Sequence, residues 1–308
     1  MTLLKFQKII LGWYKENRRD LPWRKTRDPY KILVSEIMLQ QTQISRVLPK
    51  YKEFLKVFPT LETVAKASDK KLLKIWAGLG YWRRALYLKE TAKIILEKKR
   101  TMDFLRTRRA PSAAWGKAQR KSIVRVFPKK PKILETLPGI GPYTARALAC
   151  FAFGSKEAFL DTNIRRVYLH FIFPKSKNVP DKKILKVAQK ATSNLCICIN
   201  SKYSCASTRE WHYALFDYGA TVLKDKSINK RSRHYHKQSR FEGSFRSFRT
   251  KAIKFILAHP QNKISRRALT TLLQKELKRN NSLYTPKQII AALLEDRLIK
   301  TSRSHYSL

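Results

Sequence analysis

Two carboxylates and one glycine turn carry the chemical information in this sequence. Glu36 lies inside the run Ile32-Leu33-Val34-Ser35-Glu36-Ile37-Met38-Leu39, about two helical turns after the cap-and-proline pair Asp28-Pro29. Aliphatic surroundings disfavour the charged form of an acid, so its pKa rises toward the range where it can give a proton near neutral pH. Gln40 and Gln43 follow at the fourth and seventh positions, so a helix running to about residue 43 would carry both amides on the face of Glu36. A solvent-facing glutamate beside Ser35 is the alternative. Asp161 opens a later helix, where the dipole and the first N–H groups favour an ionised carboxylate. Capping alone accounts for such a residue and is worth about 1 kcal/mol. The same fixed charge can also stabilise a positive charge that develops beside it. Between the two acids stands Leu137-Pro138-Gly139-Ile140-Gly141-Pro142-Tyr143-Thr144-Ala145. Two glycines two apart let the chain turn tightly and aim N–H groups outward at a helix start, which suits a phosphate oxygen. An ordinary helix–helix turn is the plainer reading of the same residues.

The charge decides between those readings of the turn. The chain has 308 residues and a formal net charge of +46. Self-repulsion on that scale costs stability, so a polyanionic partner is the natural inference. A hydrophobic share of 43% fits a folded protein with a real core. No apolar run approaches the ~18–20 residues of a membrane-spanning helix. Lys5, Gln7 and Lys8 interrupt the first seventeen residues, which therefore lack a signal-peptide core. Four cysteines give no disulfide framework and suit a reducing compartment. The expectation is a cytoplasmic protein that binds nucleic acid and has no membrane partner, preferred to a ribosomal-type or a membrane-surface reading.

Helical periodicity must position these residues. Phe6, Ile9, Ile10, Trp13 and Tyr14 form an opening amphipathic stripe. Further helices are expected over 29–43, 49–58, 60–67, 69–77, 83–98, 131–136, 143–153 and 161–173, and no sheet is expected before residue 240. Residues 100–132, strongly basic with Asp103 as the one acid, and residues 192–208, rich in Ser, Asn and Cys, read as surface insertions. Residues 224–243 read as a basic linker. Helices over 245–258, 265–278 and 285–296, with a hairpin over 298–308, suggest a winged-helix-like module at 244–308.

The glycine turn followed by Asp161 some twenty residues on resembles the helix-hairpin-helix superfamily of base-excision DNA glycosylases. The resemblance extends to Leu21-Pro22-Trp23-Arg24, to Val34-Ser35-Glu36-Ile37-Met38-Leu39-Gln40-Gln41-Thr42-Gln43 and to Gly78-Leu79-Gly80-Tyr81-Trp82-Arg83-Arg84-Ala85, which look like the MutY-like adenine glycosylases. It covers about 6–223, less the two insertions. It implies an all-α helix-hairpin-helix glycosylase fold over 1–223. It further implies a hydrolase that releases adenine mispaired with 8-oxoguanine or guanine. In that family the residue matching Glu36 protonates the departing base and prepares water, and the one matching Asp161 stabilises the charge on the sugar. Tyr143 stands where bifunctional relatives carry the lysine that forms a Schiff base, so the resemblance implies a monofunctional enzyme. Leu137, Gly139, Gly141 and Thr144 would meet the DNA backbone, and Gln41 and Tyr81 would enter the base stack. Trp23, Arg24, Leu39 and Asn163 match positions that line the base pocket; Trp23 reads equally well as core.

The sequence also departs from the family. Most relatives follow an Asp-x-Gly-Ala segment with cysteines spaced C-x6-C-x2-C-x5-C that hold an iron–sulfur cluster. Here Asp217-Tyr218-Gly219-Ala220 is present, but Leu223, Lys230, Arg233 and Ser239 occupy the four ligand positions. No cofactor or metal is therefore expected, and the segment is expected to be held by Tyr235 and Phe241, leaving Arg231, Arg233, Lys237 and Arg240 for DNA. Cys196, Cys198 and Cys205, with His212, match no common zinc spacing and read as free thiols. Residues 244–308 are too short and too helical for the Nudix-like domain that reads 8-oxoguanine in many relatives. Tyr213 stands where adenine glycosylases often carry Glu or Gln. Two other readings remain open: a thymine or uracil mismatch glycosylase on the same fold, and a non-catalytic DNA-binding relative.

Overall fold

The computed structural model describes residues 1–107, 127–199, 202–237 and 239–308. Most of the expected basic insertion at 100–132 falls outside these residues. The chain forms two compact units, one of residues 1–36 with 127–237 and one of residues 37–126 with 238–308.

The first unit contains α1 (Leu3–Asn17) and the start of α2 (Pro29–Leu39), which continues into the second. Its other helices are α7 (Pro131–Leu134), α8 (Pro142–Phe153), α9 (Thr162–Phe171), α10 (Asp181–Ser193) and α11 (Thr208–Thr221). The opening stripe seats Phe6 at 5.3–5.5 Å from the rings of Tyr168, Phe171 and Trp211, tying α1 to α9 and α11. Gln7 donates to the carbonyls of Ala191 and Asn194, both at 2.7 Å, and so closes the end of α10. The sequence pattern missed α10 and α11. It also missed the antiparallel pair β1 (Cys196–Ile199) and β2 (Lys202–Cys205), so the expectation of no sheet before residue 240 is corrected. Ser and Cys in the β1–β2 stretch masked the β-branched and aromatic alternation that marks most strands.

The second unit contains α3 (Ile44–Val57), α4 (Leu61–Lys66), α5 (Asp69–Trp76) and α6 (Arg83–Thr107) around Phe54, Phe58 and Trp76. The helix expected over 29–43 ends at Leu39 instead, because the Arg84 guanidinium takes the carbonyls of Ile37 and Met38, each at 2.9 Å, and of Gln40 at 2.5 Å. Gln40 and Gln43 therefore leave the helical face of Glu36. Gln43 caps α3, which accommodates Pro49 inside it rather than starting there.

The C-terminal part of this unit runs α12 (Phe245–Ala258), β3 (Lys263–Ser265), α13 (Arg266–Arg279), α14 (Pro286–Glu295), β4 (Lys300–Thr301) and β5 (His305–Ser307). The strands pair antiparallel in the order β3-β5-β4, with Ile264 opposite Tyr306 and Lys300 opposite Ser307. Three helices on a three-stranded sheet closed by a terminal hairpin form the winged-helix-like module; β3 is the one strand the sequence did not announce.

Candidate active site

Asp28 starts α2 by accepting from the N–H of Tyr30 at 2.9 Å, and the helix then buries Ile32, Leu33 and Val34 almost completely. Ser35 turns its hydroxyl to the Ile32 carbonyl at 2.8 Å, and Glu36 is only 5% exposed. The solvent-facing alternative is thereby excluded. Burial raises the Glu36 pKa from 4.5 to about 7; the nearby Asp161 charge adds to the rise, while the Tyr143 hydroxyl and the Arg24 charge oppose it.

Tyr143 reaches Glu36 because of the glycine turn. Gly139 has φ 73°, a conformation that side chains rarely adopt, and Gly141 caps α8 with Pro142 at its first position. Tyr143 follows, and its hydroxyl donates to Oε2 of Glu36 at 3.2 Å. Burial and the charges of Glu36 and Asp161 hold the phenol's pKa well above 10, so it remains a donor. The side chains of Leu137 and Thr144 are buried, which leaves anion contact at this turn to its main chain.

Asp161 caps α9, accepting from the Ile164 N–H at 2.6 Å and from the Asn163 amide at 3.0 Å. Burial raises its pKa, and these hydrogen bonds and the Arg165 charge work against the rise. Asn163 is in turn braced by α11, since a Cβ on Gly219 would stand 2.5 Å from the Asn163 carbonyl oxygen. Gly219 is a structural requirement of the site that the sequence signalled only through the Asp-x-Gly-Ala segment.

The same segment supplies an ion-pair centre. Asp217 is fully buried and accepts from both Arg24 terminal nitrogens, at 2.7 and 2.8 Å, and from Arg19 Nε at 2.6 Å. Burial pushes the Asp217 pKa up, but the arginines outweigh it and hold the carboxyl below its ordinary value. Arg24 also lies 4.4 Å over the Tyr213 ring, which stacks on Phe151 at 4.4 Å and has the Arg209 guanidinium 5.5 Å from its centroid. Arg24 is thus held by Asp217 and Tyr213, and Trp23 is buried in the core. His212 stacks on Phe159 at 4.0 Å, its Nδ1 2.8 Å from the Thr208 carbonyl, and burial lowers its pKa to about 4. The side chains of Cys196, Cys198 and Cys205 lie outside the described residues.

Leu39, Gln41 and Tyr81 belong to the second unit. Gln41 and Tyr81 are exposed and both have positive φ, 54° and 44°. Arg84 links their turns by donating to Gln40 on one side and to the carbonyls of Leu79 and Gly80, each at 3.1 Å, on the other. Burial lowers its pKa to about 10, so it stays charged. The Arg84 hub went unrecognised in the sequence.

The four positions that hold an iron–sulfur cluster in relatives do not fit one here, since none offers a thiolate. The segment closes by main-chain bonds instead. The Val179 N–H donates to the Arg231 carbonyl at 2.8 Å, and the Arg233 N–H to the Val179 carbonyl at 3.0 Å. Arg166 donates to the carbonyls of Gly219 at 2.8 Å and Leu223 at 3.1 Å. The expected anchors Tyr235 and Phe241 are exposed, at 39% and 46%, and Arg231 turns inward to the carbonyls of Phe173 and Pro174.

A buried acid with its pKa raised to about 7, a protonated phenol bonded to it and a second carboxylate held by N–H groups form a constellation that could protonate a leaving group beside a developing cation. An adenine DNA glycosylase of Buchnera aphidicola subsp. Baizongia pistaciae is 34% identical over 223 residues, 72% of this chain and 54% of the relative. One from Mycobacterium tuberculosis is 40% identical over 159 residues, 51% of this chain and 44% of the relative. The chain thus spans about half the length of the curated relatives it matches. The solved structure of a thermostable thymine-DNA glycosylase aligns with a TM-score of 0.53 at 25% identity, covering 72% of this chain and 89% of that one. Residues 34–193 match the family described as HhH-GPD superfamily base excision DNA repair protein, and the chain belongs to that superfamily.

Proposed function

We propose that this chain is a monofunctional DNA glycosylase that hydrolyses the N-glycosidic bond of adenine mispaired with 8-oxoguanine or guanine in double-stranded DNA. The observation that carries it is the pairing of Glu36, buried with a pKa raised to about 7, with Tyr143 at the position of the lyase lysine. Glu36 gives its proton to a base nitrogen as the glycosidic bond breaks and the bonding pair leaves with the base. Asp161, held by Ile164 and Asn163, stabilises the positive charge left on the sugar. Water then attacks the sugar carbon and passes its proton to the Glu36 carboxylate, which restores the enzyme. Tyr143 has no amine, so no imine forms and the strand stays intact. Within this reading 1–223 is the catalytic core, 224–243 a basic linker and 244–308 an accessory module, in a monomer that needs no metal.

The aligned thymine-DNA glycosylase favours a second reading, excision of thymine or uracil opposite guanine. Single-turnover assays on duplexes carrying A:8-oxoguanine, A:G, T:G and U:G separate the two. Release of adenine alone supports the first, and release of a pyrimidine the second. No release from any duplex would leave a DNA-binding relative without activity.

A further inference from the structure

Residues 244–308 hold fourteen Lys and Arg against three acids, Glu276, Glu295 and Asp296, and the fold sorts these charges by face. α13 packs Leu269, Leu273 and Leu277 into the core of the winged-helix-like module. The side chains on the opposite side of the helix, Arg267, Thr271, Gln274, Lys275 and Lys278, are exposed. Glu276, the one acid in α13, turns away from them to Lys251 of α12 at 2.7 Å. The outward face is therefore of one sign, and among the described residues neither Arg267, Lys275 nor Lys278 has an ion pair. From Arg267 to Lys278 the stripe runs about 16 Å, at 1.5 Å per residue. The terminal hairpin extends it. Arg266 donates to the Thr301 hydroxyl at 2.8 Å and to the Ser302 carbonyl at 2.7 Å, and its N–H to the Ser304 carbonyl at 3.0 Å. These bonds fix the β4–β5 loop, with the exposed Arg303, beside the start of α13. The outward residues of α14 are Lys287, Gln288, Ala291 and Glu295, one cation and one acid, which suit a polyanion poorly.

Like charges a turn apart on one helix repel, and a row of phosphates relieves that repulsion. Cations without acids, on a rigid helix with a loop beside it, fit the backbone of a duplex and read no base. We infer that α13 and the β4–β5 loop bind a second segment of double-stranded DNA, so that one molecule bridges two duplexes. The inference rests on the DNA-binding reading of the proposed function and goes beyond it. The module meets the Tyr81 turn through Arg246 of α12, which donates to the Tyr81 hydroxyl at 2.8 Å, and through Asp296 at the end of α14, which pairs with Arg83 at 2.7 Å. α13 packs its leucines against α12 and α14, so its outward face points away from both. A duplex held at the Tyr81 turn therefore leaves the stripe available to another.

The test uses the full chain and two short, fully paired duplexes, one fixed to beads and one fluorescent. Protein loaded on the bead-bound duplex should capture the fluorescent one. Arg267→Gln/Lys275→Gln/Lys278→Gln, which keeps good helix formers at three exposed positions, should capture at least tenfold less. The salt slope of its capture should flatten by up to ~2.7, or ~0.9 per lost phosphate contact. Arg303→Gln, which leaves every helix intact, should lower capture about threefold by itself. Lys182→Gln/Lys186→Gln/Lys190→Gln removes the same charge from exposed positions of α10 and should capture as the parent does. No capture by the parent, undiminished capture by the α13 variant, or equal loss in the α10 and α13 variants would overturn the surface. Base release is measured separately in the parent on a single mispaired duplex. A chain that bridges but releases no base refutes the glycosylase reading and keeps this one, and the reverse result refutes this one alone.

Discussion

The Tyr143 hydroxyl donates to Oε2 of Glu36 at 3.2 Å, and that bond favours the ionised form of a carboxyl whose burial favours the neutral one. Removing the donor removes the opposing influence. In Tyr143→Phe the Glu36 pKa rises further, so the alkaline limb of the single-turnover pH profile moves to higher pH. An unmoved limb would assign that limb to another group.

Glu36 also links stability to pH. Unfolded, it titrates near 4.5; folded, at about 7. Between these values the folded chain holds a proton that the unfolded chain has lost, so stability falls as pH rises through the window. At ~1.4 kcal/mol per pH unit the full effect is about 3 kcal/mol. Glu36→Gln, which cannot ionise, should match the parent at pH 4 in urea unfolding and exceed it by up to about 3 kcal/mol at pH 8. The same variant should bind DNA and release no base.

Asp161 combines a cap with a charge, and two substitutions separate them. Asp161→Asn keeps an oxygen for the Ile164 N–H and should cost less than about 0.5 kcal/mol, whereas Asp161→Ala should cost about 1 kcal/mol. Base release should fall by about a hundredfold or more in both. Near-normal release by Asp161→Asn would make the residue a cap alone.

Gly219→Ala should act at a distance. The added methyl would sit 2.5 Å from the Asn163 carbonyl oxygen and 2.9 Å from its carbon, both main-chain atoms that can yield only by moving α9. A loss of about 1–3 kcal/mol is expected, with slower base release because Asp161 caps that helix. Unfolding and single-turnover measurements on one preparation check both.

Arg84→Met should be the most damaging of these changes. It strands the carbonyls of Ile37, Met38, Gln40, Leu79 and Gly80, at a cost of about 3–5 kcal/mol. A thermal shift too small for that cost would mean that water replaces the guanidinium.

Glu36 was legible in the sequence because an acid among the aliphatic residues of one helix contributes nothing to packing, and the turn because Gly139 holds φ 73°, which side chains rarely adopt. The C-terminal module was legible from three capped amphipathic helices. What escaped were features made by residues remote in sequence. Arg84 ends α2 some forty-five residues before it, and no local pattern announces that. Asp217 meets Arg24 across most of the first unit's chain, and the Val179–Ser232 bridge replaces anchors that the sequence placed on Tyr235 and Phe241. Main-chain pairing between distant segments leaves no side-chain signature to read.

The closure of residues 226–233 onto Val179 has a chemical corollary. In the proposed metal-free enzyme this segment is fastened by amide hydrogen bonds, which have no oxidation state, so peroxide and chelators would find nothing there to attack. Cys150 offers them little more, since burial raises its thiol pKa to about 12 and keeps the reactive thiolate scarce. The integrity of this part of the fold in that proposed enzyme would then not depend on the supply of iron.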